Sequence, residues 1–333
     1  MFDLPTIWAG LLAIAVLAYV VLDGFDLGVG ILFPWLRPGN ERSTAMNTIA
    51  PVWDGNETWL VLGGGGLFAA FPLAYAVVMP ALYAPLIAML LGLVFRGVAF
   101  EYRWRDPAHE RWWDFSFMAG SMVATFMQGI VLGAFIQGIE VVDRAYAGGW
   151  FEWLTPFSVF CGLALICGYA LLGSTWLILK TEGPLQERIY QLSLPLALVL
   201  MLSVAVVSLW TPSLSPEIAE RWFSWPNIAL LWPVPVLVAA LGGGLLWSLR
   251  KRRESLPFPL TLALFALSYA GLGISIFPYV VPRSVTIWDA AAPDESLGFL
   301  LVGASVLLPL ILAYTAYAYW VFRGKVVDGH GYH

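Results

Sequence analysis

The chain has 333 residues, 60% hydrophobic and 12% charged, with a formal net charge of −5 and a mean hydropathy of +0.78. Soluble domains carry about a quarter charged residues, so too few polar side chains are present to clothe a water-facing surface, and a soluble globular class is excluded. No basic patch of the kind that binds nucleic acid occurs, and the small net charge is a property of loops between apolar stretches.

About 20 apolar residues cross ~30 Å of hydrocarbon at ~1.5 Å per residue. Nine stretches qualify: 7–32, 58–78, 80–100, 115–139, 156–179, 191–210, 228–249, 258–281 and 297–322. Lipid offers no partner to open backbone groups, so each stretch is predicted to be helical, and the alternating segments of a barrel are absent. The first stretch follows MFDLPTIWAG, which lacks a basic leader and a small-residue cleavage site, and it is expected to be retained. The second and third are divided only by a turn at Pro80. Cys161 and Cys167 share the fifth stretch on different helix faces and read as reduced packing residues. The longest outer connection is 211–227, and neither a linker nor a repeat is visible. The expectation is an all-α, polytopic membrane helix bundle of nine transmembrane helices in one domain, 1–333, with short loops.

Basic residues fix its orientation. Thirteen of the seventeen Lys and Arg fall after odd-numbered stretches or in the tail, among them Arg37, Arg42, Arg103, Lys180, Arg188 and the run Arg250–Arg253. Only Arg144, Arg221 and Arg283 fall after even-numbered ones. The positive-inside rule then places the N-terminus outside and the C-terminus in the cytoplasm. Tryptophans such as Trp35, Trp53, Trp150 and Trp225 gather at stretch ends, as interfacial belts do. Membrane lipid is therefore a partner of the chain.

Seven of the nine stretches contain no Asp, Glu, Lys or Arg. The first holds Asp23 and Asp26 in DGFDLGVG, spaced i, i+3 and so on one helix face. Asp23 is sixteen residues in, about 24 Å below the outer end. Each carboxylate at such depth costs ~2.5–3.5 kcal/mol unless it is paired, protonated or wetted. Asp54, Asn56 and Glu57 precede the second stretch in PVWDGNETW, while Arg96 and Glu101 close the third in VFRGVAFEYRW. All are expected at one depth and in one leaflet. Two readings stay open: a cytoplasm-facing pocket that relays protons, with carboxyls titrating as a coupled set, or a charge cluster locking three helices, with Arg96 snorkelling to the interface. Gly24 and Gly28 form a small-xxx-small pair, and Gly63–Gly66 read as a site of close helix packing.

The chain has three histidines, His109 in a loop and His330 and His333 in the tail, none within a stretch. A membrane b-type cytochrome takes axial His, sometimes with Met, from its helices. Met89, Met118, Met122, Met127 and Met201 have no such His beside them and read as core filler. No haem is expected on this chain alone, and no metal, phosphate-loop or Ser/His/Asp constellation is present.

The segments DGFDLGVG at 23–30, IAPVWDGNETWL at 49–60 and FRGVAFEYR at 95–103 resemble subunit II of the cytochrome bd quinol oxidases. Gln137-Gly138, FPYVVP at 277–282, TIWDA at 286–290 and LPLILAYTAYAYW at 308–320 extend the likeness along nearly the whole chain. Its length and short loops are similar to those of the cyanide-insensitive branch. The resemblance implies a bacterial inner-membrane complex that oxidises ubiquinol and reduces dioxygen to water with protons from the cytoplasm. It implies a haem-bearing subunit I as partner, holding two haems b and one haem d, and leaves room for a small single-helix accessory subunit. It assigns the WDGN acid, here Asp54, to a proton path along the subunit interface, less directly Asp23, Asp26 and Arg96; Glu57 stands where relatives can carry an amide. Against this reading stand a proton-coupled secondary transporter, which glycine-broken helices with internal charges would suit, and a scaffold subunit with no proton role.

Overall fold

The structure, a computed structural model, describes residues 3–326; His330 and His333 lie outside the described residues. Helix starts follow local capping chemistry. The Asp3 carboxylate accepts from the Thr6 amide at 2.9 Å and Pro5 occupies the first turn, opening α1 (Leu4–Ile31). A short α2 (Asn40–Ile49) leads to α3 (Trp53–Ala70), then come α4 (Pro72–Ala81), α5 (Tyr83–Tyr102) and α6 (Glu110–Gln137). Thr155 and Ser158 form a reciprocal capping box at the head of α7 (Pro156–Lys180). α8 (Gly183–Leu214), α9 (Pro216–Phe223), α10 (Asn227–Leu231), α11 (Pro233–Arg250), α12 (Pro257–Ile276), α13 (Ile287–Ala290) and α14 (Asp294–Val321) complete the order. Two small antiparallel hairpins, Val141–Val142 with Ala145–Tyr146 and Tyr279–Val281 with Val285–Thr286, are the only strands among the described residues.

Among the described residues, eight helical stretches are long and apolar enough to cross a membrane: α1, α5, α6, α7, α8, α10 with α11, α12 and α14. The expected second span is built differently. Its helix begins at Trp53, five residues earlier than read, so Asp54, Asn56 and Glu57 lie inside its first turns. It stops at Ala70, and Phe71 leaves the helical region (φ −131°, ψ 64°) because the following Pro72 disfavours it there. The break is thus at Phe71 and again at Leu82, while Pro80 lies within α4. The eighteen residues of α3 extend about 27 Å. α4, with Ala74 and Val77 fully buried, packs under the hairpins and α13. The 211–227 connection, expected as a loop, carries α9 and the start of α10.

The bundle is held by backbone-to-backbone crossings at glycine pairs: Gly92 with Gly120 joins α5 to α6, Gly129 with Gly162 joins α6 to α7, and Gly173 with Gly28 joins α7 to α1. A Cβ at any of these positions would meet main-chain atoms, which cannot rotate away. Gly24 instead faces the Tyr169 ring, and in the glycine run Gly66 faces Leu12 while Gly64 and Gly65 face nothing. Basic side chains collect at one end of the bundle. There Asp114 takes Arg42 at 2.8 Å and Arg103 at 2.6 Å, Arg188 meets Glu41 at 3.2 Å, and Lys325 meets Glu254 at 2.6 Å. The opposite end is tied by the Trp8 indole to the Leu297 carbonyl at 3.0 Å and the Trp288 indole to Asp3 at 2.7 Å.

Gly28→Leu drives a side chain into the Tyr169 main chain, and overpacking of this kind costs about 1–3 kcal/mol or more. The variant should melt several degrees lower in a detergent thermal-shift assay. Gly243→Ala, whose Cβ meets nothing within 4 Å, should not move the transition; equal melting of the two would sink the crossing argument.

Candidate functional site

The first three long helices converge at the basic end. Asp23 and Asp26, one turn apart on α1, face Arg96 of α5 and Asn56 and Glu57 of α3. Arg96 Nη1 lies 2.9 Å from Asp23 Oδ1 and 3.4 Å from Glu57 Oε2, and Nη2 lies 4.0 Å from Asp26 Oδ2. The side chains of Asp23, Asp26 and Arg96 are 0% exposed and that of Glu57 is 28% exposed. The guanidinium also stands over the Trp53 ring, 5.7 Å from its centroid, and Trp53 stacks on Phe100 at 4.9 Å.

Neutral polar groups extend the cluster. Asn56 Nδ2 donates to Asp26 Oδ2 at 2.7 Å, and the Tyr319 hydroxyl on α14 donates to Asn56 Oδ1 at 2.9 Å. On the other side Tyr19 flanks Asp23 from one turn earlier on α1. Its hydroxyl accepts from Gln128 Nε2 at 2.7 Å, and Gln128 Oε1 accepts from Tyr169 at 2.9 Å. Six helices therefore contribute to one polar network inside an apolar bundle. Sequence reading named none of Tyr19, Gln128, Tyr169 and Tyr319, and used Asn56 only as a marker of depth. The available signal was that an amide or hydroxyl in a lipid-depth helix also needs a partner.

Asp23, Asp26, Arg96 and Glu57 are thus brought together. Two expected members are not. Glu101 is 55% exposed and stands 3.8 Å from Arg105, one turn on, in a surface pair. Asp54 is exposed, one turn before Glu57 on α3, and among the described residues its carboxylate has no hydrogen bond or ion pair. Arg96 does not snorkel: it is enclosed, because three carboxylates come to it from neighbouring helices.

Three carboxylates share one guanidinium. A buried charge is costly unless compensated, and one cation offsets one anion, so the remainder is left to hydrogen bonds, protons or water. The arrangement can hold protons and exchange them along its less buried arm, Glu57 and then Asp54. Among the described residues no group of acids, Cys and His could hold a metal ion. His109 lies on an exposed turn with Nδ1 2.9 Å from Asp106, whose carboxyl it holds below the usual range by hydrogen bonding. It offers no axial ligand at membrane depth, and Met89, Met122 and Met127 lie in or against the apolar core.

Arg96→Gln strands three acids in an enclosed site; removing one partner of a buried pair commonly costs about 3–5 kcal/mol. Yield and melting temperature in detergent should fall steeply, and Asp23→Asn added to Arg96→Gln should recover part of the loss. No recovery would sever the link between these two residues.

The sequence profile of the family described as "Cytochrome bd terminal oxidase subunit II" matches residues 4–322. The chain is 31% identical over 358 aligned positions to the cytochrome bd-I ubiquinol oxidase subunit 2 of Escherichia coli (strain K12), covering 96% of this chain and 94% of that one. It is 29% identical to the cytochrome bd ubiquinol oxidase subunit 2 of Bacillus subtilis (strain 168), covering 98% of both. A chain from the structure of bd oxidase from Geobacillus thermodenitrificans superposes with a TM-score of 0.77 over 96% of this chain and 98% of that one, at 20% identity, which bears on the fold alone.

Proposed function

We propose, on the premise that this chain belongs to the cytochrome bd terminal oxidase subunit II family, that its acid–arginine cluster takes protons from the cytoplasm toward the oxygen-reducing partner. The chain is the second subunit of a cytochrome bd quinol oxidase and a multi-pass membrane protein. Its subunit I partner carries the two haems b and haem d in this reading, and the substrate is ubiquinol. The placement of His109 on a surface turn supports assigning the haems there. Haem on the partner supplies the electron transfer and oxygen chemistry; this chain handles protons and holds its own helices in register.

One observation carries the proton role. The cluster is graded from closed to open: Asp23 and Asp26 are sealed, Glu57 is partly open, and Asp54 is exposed, all within about three turns of α1 and α3. An unpaired carboxylate on a membrane helix cannot face hydrocarbon cheaply, so Asp54 belongs at water or against a polar partner. The sealed Asp23–Arg96 pair acts as the fixed anchor. Glu57, 3.4 Å from the guanidinium and open on its other side, can pass a proton between the carboxyl not committed to that anchor and Asp54.

Asp54→Asn should leave the purified complex with full haem content and slow its oxygen consumption by about tenfold or more, as loss of a proton-transfer group does. Rates equal to the parent at matched haem would eliminate proton uptake through this chain and leave it a scaffold.

A further inference from the structure

The three acids do not stand alike toward Arg96. Asp23 and Glu57 lie 2.9 Å and 3.4 Å from Nη1, whereas Asp26 stands 4.0 Å from Nη2. The near partner of Asp26 is the Asn56 amide at 2.7 Å. An amide can turn over, exchanging its donor for its acceptor with little change of shape. Here two acceptor-only contacts select one orientation, and the Tyr319 hydroxyl, which can donate or accept, follows it. Asn56 Nδ2 serves Asp26 Oδ2 and also reaches the Leu22 carbonyl at 3.4 Å, while Oδ1 receives the Tyr319 hydroxyl at 2.9 Å. Turning the amide would set an oxygen against a carboxylate and a carbonyl at once.

Tyr319 is placed for this by the way α14 packs. That helix is almost wholly on the outside of the bundle, with Leu297 its one buried residue. Near its far end the Tyr319 ring turns inward and meets Phe25 and Trp176 edge-on at 6.5 Å and 6.3 Å. The chain beyond is pinned, as Lys180 Nζ donates to the Gly324 carbonyl at 3.2 Å and the Val326 amide to the Lys180 carbonyl at 2.9 Å. Asp26 Oδ1 is enclosed and accepts no hydrogen bond.

We infer that Asn56 and Tyr319 are positioning residues that hold Asp26 off the guanidinium and make it the carboxyl through which the cluster exchanges its proton. Arg96 is committed to Asp23; Asp26 is held by a neutral donor that binds it in either protonation state and leaves Oδ1 free to carry hydrogen. The charged and titratable groups around Asp26 are Asp23 on its own helix, Glu57 of α3, Arg96 of α5 and Tyr319 of α14. α7 and α12 present the apolar rings of Trp176 and Phe258 on this side. This assignment rests on the proton-uptake reading and names the member of the cluster that performs it.

Tyr319→Phe keeps the ring and removes only the hydroxyl. In the purified two-subunit complex at matched haem content, it should move the pH profile of oxygen consumption by roughly half a unit, the scale of one hydrogen bond. Asn56→Ala should move it further in the same direction. Redox-induced infrared difference spectra should show a carboxyl C=O band that is lost in Asp26→Asn and displaced in Tyr319→Phe, a displacement that a packing role alone would not produce. If Tyr319→Phe and Asn56→Ala reproduce the parent profile and band while Asp54→Asn is slow, the cluster conducts but this pair does not select Asp26, and the inference is overturned. If Asp54→Asn is also at parent rate, the proton-uptake reading falls with it.

Discussion

Arg96 is the group on which this arrangement depends. One cation, fully enclosed, is the shared counter-charge for acids arriving from two other helices. Taken singly, each of these side chains is unwelcome at that depth; together they make a polar island that forces α1, α3 and α5 into one relative placement. The acids outnumber the base, three carboxylates to one guanidinium. A cluster with matched charges would have nothing to exchange, and the excess of acids here is the feature on which the proposed proton role rests.

Close helix contact makes such an island possible. The glycine crossings run from α5 through α6 and α7 to α1 and bring those backbones together, which sets where α5 stands relative to α1, and there Arg96 meets Asp23 at 2.9 Å. Without a hydrophobic drive in lipid, helix association depends on this kind of van der Waals fit. The polar network and the glycine seams are therefore complementary: the seams set distance, and the network sets rotation and register.

How far the chain alone reveals this depends on the kind of signal. Hydropathy locates the long helices well, because an apolar run of twenty residues admits few other solutions. It fails at the second span, where one aromatic residue before Pro72 ends a helix that composition alone would continue. Depth along a helix is legible by counting, which is why Asp23, Asp26, Glu57 and Arg96 are correctly placed at one level. Azimuth is not. Glu101 lies five residues beyond Arg96, about 140° around the helix, and so points outward while Arg96 points in. Nothing in a single sequence says which face of α5 turns toward α1. For the same reason Tyr319 escapes notice: it is one tyrosine among several on an exposed helix, and only the tertiary fold shows it reaching Asn56.

The position of Tyr319 in the last long helix bears on how the protein is made. Asp23 and Asp26 enter the bilayer with the first helix, and Asn56 and Arg96 follow within the next two, whereas the hydroxyl that bonds the amide belongs to α14 and arrives much later in synthesis. Until then Asn56 keeps its contacts to Asp26 and the Leu22 carbonyl but lacks the donor to its Oδ1. The contacts of the island are therefore made at different times: those of α1, α3 and α5 can form early, and that of Tyr319 waits for α14. A nascent chain interrupted between the two would hold the Arg96 cluster without the hydroxyl on Asn56.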